Sequence, residues 1–328
     1  MESFKKVLGI LFRIAISIAL IAFILTQVDK ESLFEVIRNA NKPFLFLGFF
    51  VLFFNYVLCL FRWEMLLKTL NIHLPLKRVI MSFAGGHFFN LFLPSTIGGD
   101  LMRSIDLTLH TKRPKEVIAT IFLDRLSGYI GLVLLALMSL SIGWRLVSNK
   151  MVLLCVAAIT GFLVIILLVL FNKRIYRKTN QLLHSPKAGQ IRELIKNLHQ
   201  EIHYFRHHEK AVVSSLILSV FIQAVIPLAY FVIALSIGLR LDIIYFFVFF
   251  PIIGVITLLP ISIGGLGLRD AATIFFFGTV GVSRDLAFAM SLLYVVFIMI
   301  YGAVGGLIYV LTIRHRRLQR HKTPLHHP

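Results

Sequence analysis

Long apolar runs separated by short polar clusters set the pattern of this chain. Stretches free of Asp, Glu, Lys and Arg lie at 14–28, 44–61, 79–99, 151–172, 211–239, 243–268, 271–283 and 286–313. The run at 117–142 is interrupted only by Asp124 and Arg125, and the first run extends backward past Arg13 to Val7. A membrane-spanning helix needs about 20 apolar residues, so most of these runs predict spans. The basic start and apolar stretch imitate a signal peptide, but no small-residue cleavage site follows, so a retained first span is expected.

Loop charges predict the orientation. The start, 62–78, 103–115, 173–210 and the tail at 314–328 are rich in Lys and Arg, and 173–210 alone carries nine basic and three acidic residues. All of these are expected on the cytoplasmic side, with both termini. The connections at 29–42 and 143–150 are poorer in net positive charge and are expected outside. Both flanks of 79–99 are then cytoplasmic, which predicts a re-entrant hairpin rather than a crossing. Gly85, Gly86 and Pro94 suit the reversal. The same accounting makes 243–283 enter from outside and return there, as a re-entrant pair or two crossings. An amphipathic helix is expected at 188–208, where Ile191, Leu194, Ile195, Leu198, Ile202 and Phe205 recur at helical spacing.

Two segments repeat. Leu93-Pro-Ser-Thr-Ile-Gly-Gly-Asp-Leu-Met-Arg103 matches Leu259-Pro-Ile-Ser-Ile-Gly-Gly-Leu-Gly-Leu-Arg269 at an offset of 166 residues, with six identities. Each copy is preceded by two spans and followed by one. The first half begins inside and the second outside. The expectation is an all-α, polytopic transmembrane bundle of two inverted-topology repeats, 1–142 and 143–313, each holding a Pro/Gly-broken re-entrant segment. Transporters of this kind place substrate where broken helices meet near the midplane.

Composition removes the soluble alternatives. Hydrophobic residues make up 58% and charged residues 15% of the 328 positions, against about 25% charged in soluble domains. The formal net charge of +19 suits an anionic membrane surface, and no nucleic-acid partner is expected. Cys59 and Cys155 lie in apolar runs and are read as packing residues. No metal-ligand spacing appears, and no cofactor is expected.

The candidate site follows from the repeat. Proline ends a helix, paired glycines permit a tight reversal, and the next helix start offers unpaired amides that favour an oxyanion. Arg103 and Arg269 add planar forks that fit phosphate oxygens. Ionisable groups within spans usually face the bundle interior and mark functional routes. The substrate-binding candidates are therefore Gly98, Gly99, Asp100, Arg103, Asp124, Arg125, Gly264, Gly265, Arg269 and Asp270. The structural alternatives are ion pairs: Arg103 with Asp100 or Asp106, Arg269 with Asp270, and Arg125 with Asp124. Arg62, Trp63 and Glu64 are read as an interfacial anchor, and His87 as bonding a carbonyl.

The chain resembles the lysylphosphatidylglycerol synthase transmembrane-region family, also described as flippase-like integral membrane proteins. The matching stretches are Arg62-Trp63 with Leu66-Leu67, Leu93-Pro94 through Gly98-Gly99-Asp100 to Arg103, Glu116-Val117 through Asp124-Arg125 to Gly128, and Gly264-Gly265-Leu266-Gly267 with Arg269-Asp270. Many relatives carry Glu where Asp124 and Asp270 stand, which keeps the charge. The resemblance implies a bacterial or archaeal inner-membrane protein tied to lipid handling. In the best-known relatives this region moves an aminoacylated phospholipid made by a separate soluble domain. The tail at 314–328 leaves no room for that domain, so lipid synthesis by this chain is not expected, and the chain is not expected to be an enzyme. The expected partners are anionic membrane lipids or lipid-linked head groups, with a soluble lipid synthase as a further partner. Two other readings stay open. One is a membrane-embedded transferase with Asp100, Asp124 or Asp270 as base or metal ligand. The other is an anchor for a soluble synthase.

Overall fold

The computed structural model describes residues 2–92, 97–143, 145, 208–258 and 262–322, with isolated positions between 154 and 165. The helix expected at 188–208 and most of the span expected at 151–172 lie outside the described residues. The described residues are helical and contain no strand. In chain order the helices are α1 (Glu2–Gln27), α2 (Lys30–Arg38), α3 (Lys42–Thr69), α4 (Leu76–Phe92), α5 (Ile97–Thr111), α6 (Pro114–Gly143), α7 (Glu209–Ser236), α8 (Ile243–Thr257), α9 (Leu268–Gly278) and α10 (Arg284–Lys322). Four are long and apolar enough to cross a membrane: Lys42–Thr69, Pro114–Gly143, Glu209–Ser236 and Arg284–Leu311.

Helix ends define two faces. On one, the Arg113 guanidinium donates to Asn71 O, and Arg78 pairs with Asp106 at 3.8 Å. The end of α3, both ends of the α4/α5 pair and the start of α6 therefore lie together. This face carries Lys68, Lys77, Arg78, Lys112, Arg113 and Lys115 against Glu64, Asp106 and Glu116. On the other, Asn41 N donates to Ser236 O, Arg284 to Gln27, and Asp29 N to Asp285. The ends of α1 and α7, all of α2 and the starts of α3 and α10 meet there. This second face is nearly neutral: Lys30, Arg38, Lys42, Arg145, Arg240 and Arg284 stand against Asp29, Glu31, Glu35, Asp242 and Asp285.

Two antiparallel helix pairs have their open ends at opposite faces. In α4/α5 the contacts step from Arg78–Asp106 through Ser82–Arg103 to Asn90–Gly99. Both arms open on the basic face. A Cβ on Gly99 would stand 2.1 Å from Gly86 O, and one on Gly86 would meet the Arg103 stem at 2.6 Å. Only glycine allows the arms to approach this closely. In α8/α9, Phe246 packs on Phe277 and Phe249 on Phe276, while Gly265 reaches Thr257 near the tip. This hairpin opens on the neutral face. The reversal uses left-handed backbone at Gly264, Gly265 and Gly267, which residues with a Cβ rarely adopt.

Three helices outrun their expected bounds. α3 continues through Arg62 to Thr69, α5 carries the hairpin arm on to Thr111, and α10 runs through the basic tail to Lys322. None of these extensions contains a glycine or proline, and Arg, Lys, Leu, Met and Gln sustain a helix well. A charge ends an apolar run without ending the helix. α2 is an addition within the connection 29–42. Asp29 caps it by accepting from Glu31 N, and Phe34 on it is 76% exposed.

Candidate functional site

The first cluster forms where α3, α5, α6 and α7 meet. Asp124 on α6 accepts from Arg62 Nε at 2.8 Å and lies 3.7 Å from Arg103 Nη2. Asp100 on α5 accepts from Arg103 Nη2 at 2.7 Å. It also takes both ends of the Arg125 fork, Nε at 2.7 Å and Nη2 at 3.0 Å. The result is an alternating row, Arg62–Asp124–Arg103–Asp100–Arg125. Arg62, Arg103 and Asp124 are 6%, 3% and 5% exposed. The Arg103 guanidinium also stands over Trp63, 4.6 Å from the ring centroid, and over Phe83 at 5.5 Å. Arg62 Nη1 donates to Ser219 Oγ at 2.8 Å, and Ser215 Oγ donates to Ser127 Oγ at 3.0 Å. Buried charges are kept only when paired and hydrogen-bonded, and this row meets that condition. It nevertheless holds three guanidiniums against two carboxylates.

The second cluster joins α7, α9 and α10. Asp270 Oδ2 accepts from Gly267 N at 2.9 Å, and Oδ1 accepts from Ser291 Oγ. Arg269 Nε reaches Ser291 Oγ at 3.4 Å, and its guanidinium lies over Tyr294 at 5.1 Å. Tyr294 stacks on Tyr230 at 4.4 Å, which stacks in turn on Phe250 at 3.6 Å. Two buried polar atoms here have no hydrogen-bond partner, Arg269 Nη2 and Tyr230 Oη. Asp270 Oδ1 stands 3.8 Å from Arg269 Nη2, beyond hydrogen-bonding distance. Ser291 neighbours the Tyr230 phenol and gives its own proton to Asp270.

Arg103 and Arg269, expected where the two broken helices meet, stand in separate ionic clusters. No hydrogen bond or ion pair among the described residues joins them, and each belongs to its own carboxylate. At 1.5 Å per residue, Asp124 lies about 15 Å along α6 from its start on the basic face, and Arg269 about 14 Å along α9 from its end on the neutral face. Electrostatic contacts of Cys59, Tyr56 and Tyr294 link the clusters. Cys59 is within electrostatic reach of Arg62, Asp124, Arg103 and Arg125. Tyr56 senses Cys59 and Tyr294, and Tyr294 senses Arg269. A polar seam thus runs through the bundle from one cluster to the other.

The expected free amides are also occupied. Gly99 N donates to Asn90 Oδ1 at 2.9 Å, and Gly267 N to Asp270. The charge available to an incoming oxyanion resides in the guanidiniums. Gly98 sits in the first turn of α5, Gly264 is exposed, and Gly265 is buried. These glycines shape the hairpins, whereas Asp100, Arg103, Asp124, Arg125, Arg269 and Asp270 carry the charge. Arg125 pairs with Asp100 rather than Asp124, and Asp106 pairs with Arg78 rather than Arg103. Arg62 and Trp63 are interior, not an edge anchor: Trp63 is fully buried and its Nε1 donates to Thr120 Oγ1 at 3.3 Å. Glu64 pairs with Lys68 at 2.8 Å, and His87 Nδ1 bonds Phe83 O at 3.0 Å, as expected for a carbonyl partner. Tyr230, Tyr294 and Ser291 carried no sequence signal, because they stand in uninterrupted apolar runs.

Long apolar helices around two internal ionic clusters define a helical membrane protein with a charged interior. The chain belongs to the family of the lysylphosphatidylglycerol synthase TM region, whose model matches residues 10–306. It is similar to the UPF0104 membrane protein PH1989 of Pyrococcus horikoshii, with 23% identity over 332 aligned residues covering 93% of this chain and 97% of that protein. No solved structure matches the chain.

Proposed function

We propose that this protein binds an anionic lipid or lipid-linked head group and moves it across the cell membrane. The observation that carries this reading is the excess of guanidinium over carboxylate inside the bundle. Arg62, Arg103, Arg125 and Arg269 face only Asp100, Asp124 and Asp270, and Arg269 Nη2 is buried without a hydrogen-bond partner. An uncompensated charge in a low-dielectric interior is costly, and a phosphate oxygen supplies what it lacks. Arg125, with a third of its side chain exposed, is the contact nearest solvent in the first cluster. The head group passes from Arg125 and Arg103 along Cys59, Tyr56 and Tyr294 to Arg269, while its acyl chains stay in lipid. The two hairpins act as the moving elements of an inverted pair. The basic face is cytoplasmic by the positive-inside rule, which places both termini there. The protein acts as a transporter rather than an enzyme.

Mass spectrometry of lipids that co-purify with the protein tests the head-group chemistry. Anionic lipids should be enriched over their share of the source membrane, and the Arg103→Ala/Arg269→Ala double variant should lose the enrichment. A bound-lipid profile that mirrors the bulk membrane removes the reading.

A further inference from the structure

The neutral face holds a half-open cleft of about 590 Å³ between α2, the start of α3 and the end of α7. Its volume falls in the range of small-molecule sites, about 300–1,000 Å³. Gly238 opens one side, since it turns with φ of +79° and has no atom within 4 Å of where a Cβ would stand. Glu35 lines the cleft from α2 and Arg240 from the α7–α8 connection, and Val36, Phe44 and Leu235 give it an apolar lining. Glu35 and Arg240 are exposed. Neither of these two forms an ion pair within 4 Å among the described residues.

A carboxylate and a guanidinium lining one small cleft select a ligand that carries a cation and an oxyanion on a short linker. The face adds little net field, because its six basic residues among those described are nearly cancelled by five acidic ones. An anionic lipid therefore gains little general attraction here, while a zwitterion meets a matched local pair. Lipid is favoured over a soluble zwitterion by the apolar surface beside the cleft. Phe34, next to Glu35, is 76% exposed, and Phe46, two residues beyond Phe44, is 64% exposed. Exposed phenylalanines gain by contact with hydrocarbon rather than water.

We propose that this cleft holds the head group of a zwitterionic phospholipid, with the ammonium against Glu35 and the phosphate against Arg240. The site is separate from the arginine seam, and neither residue takes part in the proposed translocation.

The test titrates the purified full-length protein in detergent with short-chain phosphatidylethanolamine, short-chain phosphatidylglycerol and free phosphoethanolamine. Phosphatidylethanolamine should bind, and its affinity should fall at least fivefold in Glu35→Gln and in Arg240→Gln. Ser32→Trp, which fills the cleft without changing its charge, should abolish that binding. Phosphatidylglycerol should be indifferent to Glu35→Gln. Phosphatidylethanolamine affinity unchanged in all three variants overturns the proposal. Equal binding of free phosphoethanolamine overturns the lipid as occupant. Arg103→Ala/Arg269→Ala in the same titration separates the two sites: it should leave phosphatidylethanolamine binding intact even if the seam does not bind anionic lipid.

Discussion

Asp124→Ala should destabilise the protein by about 3–5 kcal/mol, the usual cost of removing one partner from a buried ion pair. Asp124 bridges Arg62 and Arg103, and all three are more than nine-tenths buried. Its loss leaves Arg62 with only Ser219 and Gly128 beside it, and Ser219 cannot neutralise a charge. Thermal denaturation in detergent should show a clear downward shift in midpoint. Combining Asp124→Leu with Arg62→Met should recover much of it, because apolar replacement of both partners removes the stranded charge. Arg125→Ala should cost less, since a third of that side chain reaches solvent. A midpoint for Asp124→Ala equal to that of the unaltered protein would show that the row contributes nothing to the packing of α3, α5 and α6.

Arg269→Ala should weaken binding of an anionic phospholipid by at least about tenfold, given about 1.5–3 kcal/mol for a hydrogen bond to a charged group. The fold should survive this change. Asp270 keeps its bonds from Gly267 N and Ser291 Oγ when the guanidinium is gone. The same argument applies to Arg103: without it, Asp100 still holds both ends of Arg125, and Asp124 still holds Arg62. These two arginines are therefore the positions where a loss of binding can be read apart from a loss of structure. Titration of short-chain phosphatidylglycerol, with the melting midpoint measured on the same sample, makes the comparison. Unchanged affinity in Arg269→Ala removes that residue from the site.

The all-helical layout was legible in the sequence, and so was part of its chain course. The basic flanks on both sides of 79–99 anticipated the antiparallel course of α4 and α5, whereas Gly85-Gly86, expected to suit the reversal, lie inside α4. The repeat at Pro260 through Arg269 likewise foretold a second break, and the left-handed glycines there are its physical form. The extent of the interior was not legible. Arg62 follows an apolar run and precedes Trp63, which reads as a membrane edge. Only the tertiary position of Asp124, 62 residues away, explains why the helix carries that charge inward. Pairing was equally hidden. Asp100 lies three residues from Arg103 in sequence, but its bidentate partner is Arg125 on another helix. The seam of Tyr56, Cys59 and Tyr294 could not be seen at all, since each is one residue in a run that patterning treats as uniform. Free amides were expected at the helix starts, but Asn90 and Asp270 take up those at Gly99 and Gly267.

Transbilayer movement of a fluorescent anionic phospholipid in proteoliposomes tests the central claim most directly. Vesicles containing the protein should move the label faster than protein-free vesicles, and Arg103→Ala/Arg269→Ala should return the rate to the protein-free value. Movement no faster than in protein-free vesicles, or a full rate in the double variant, would contradict an arginine-lined route.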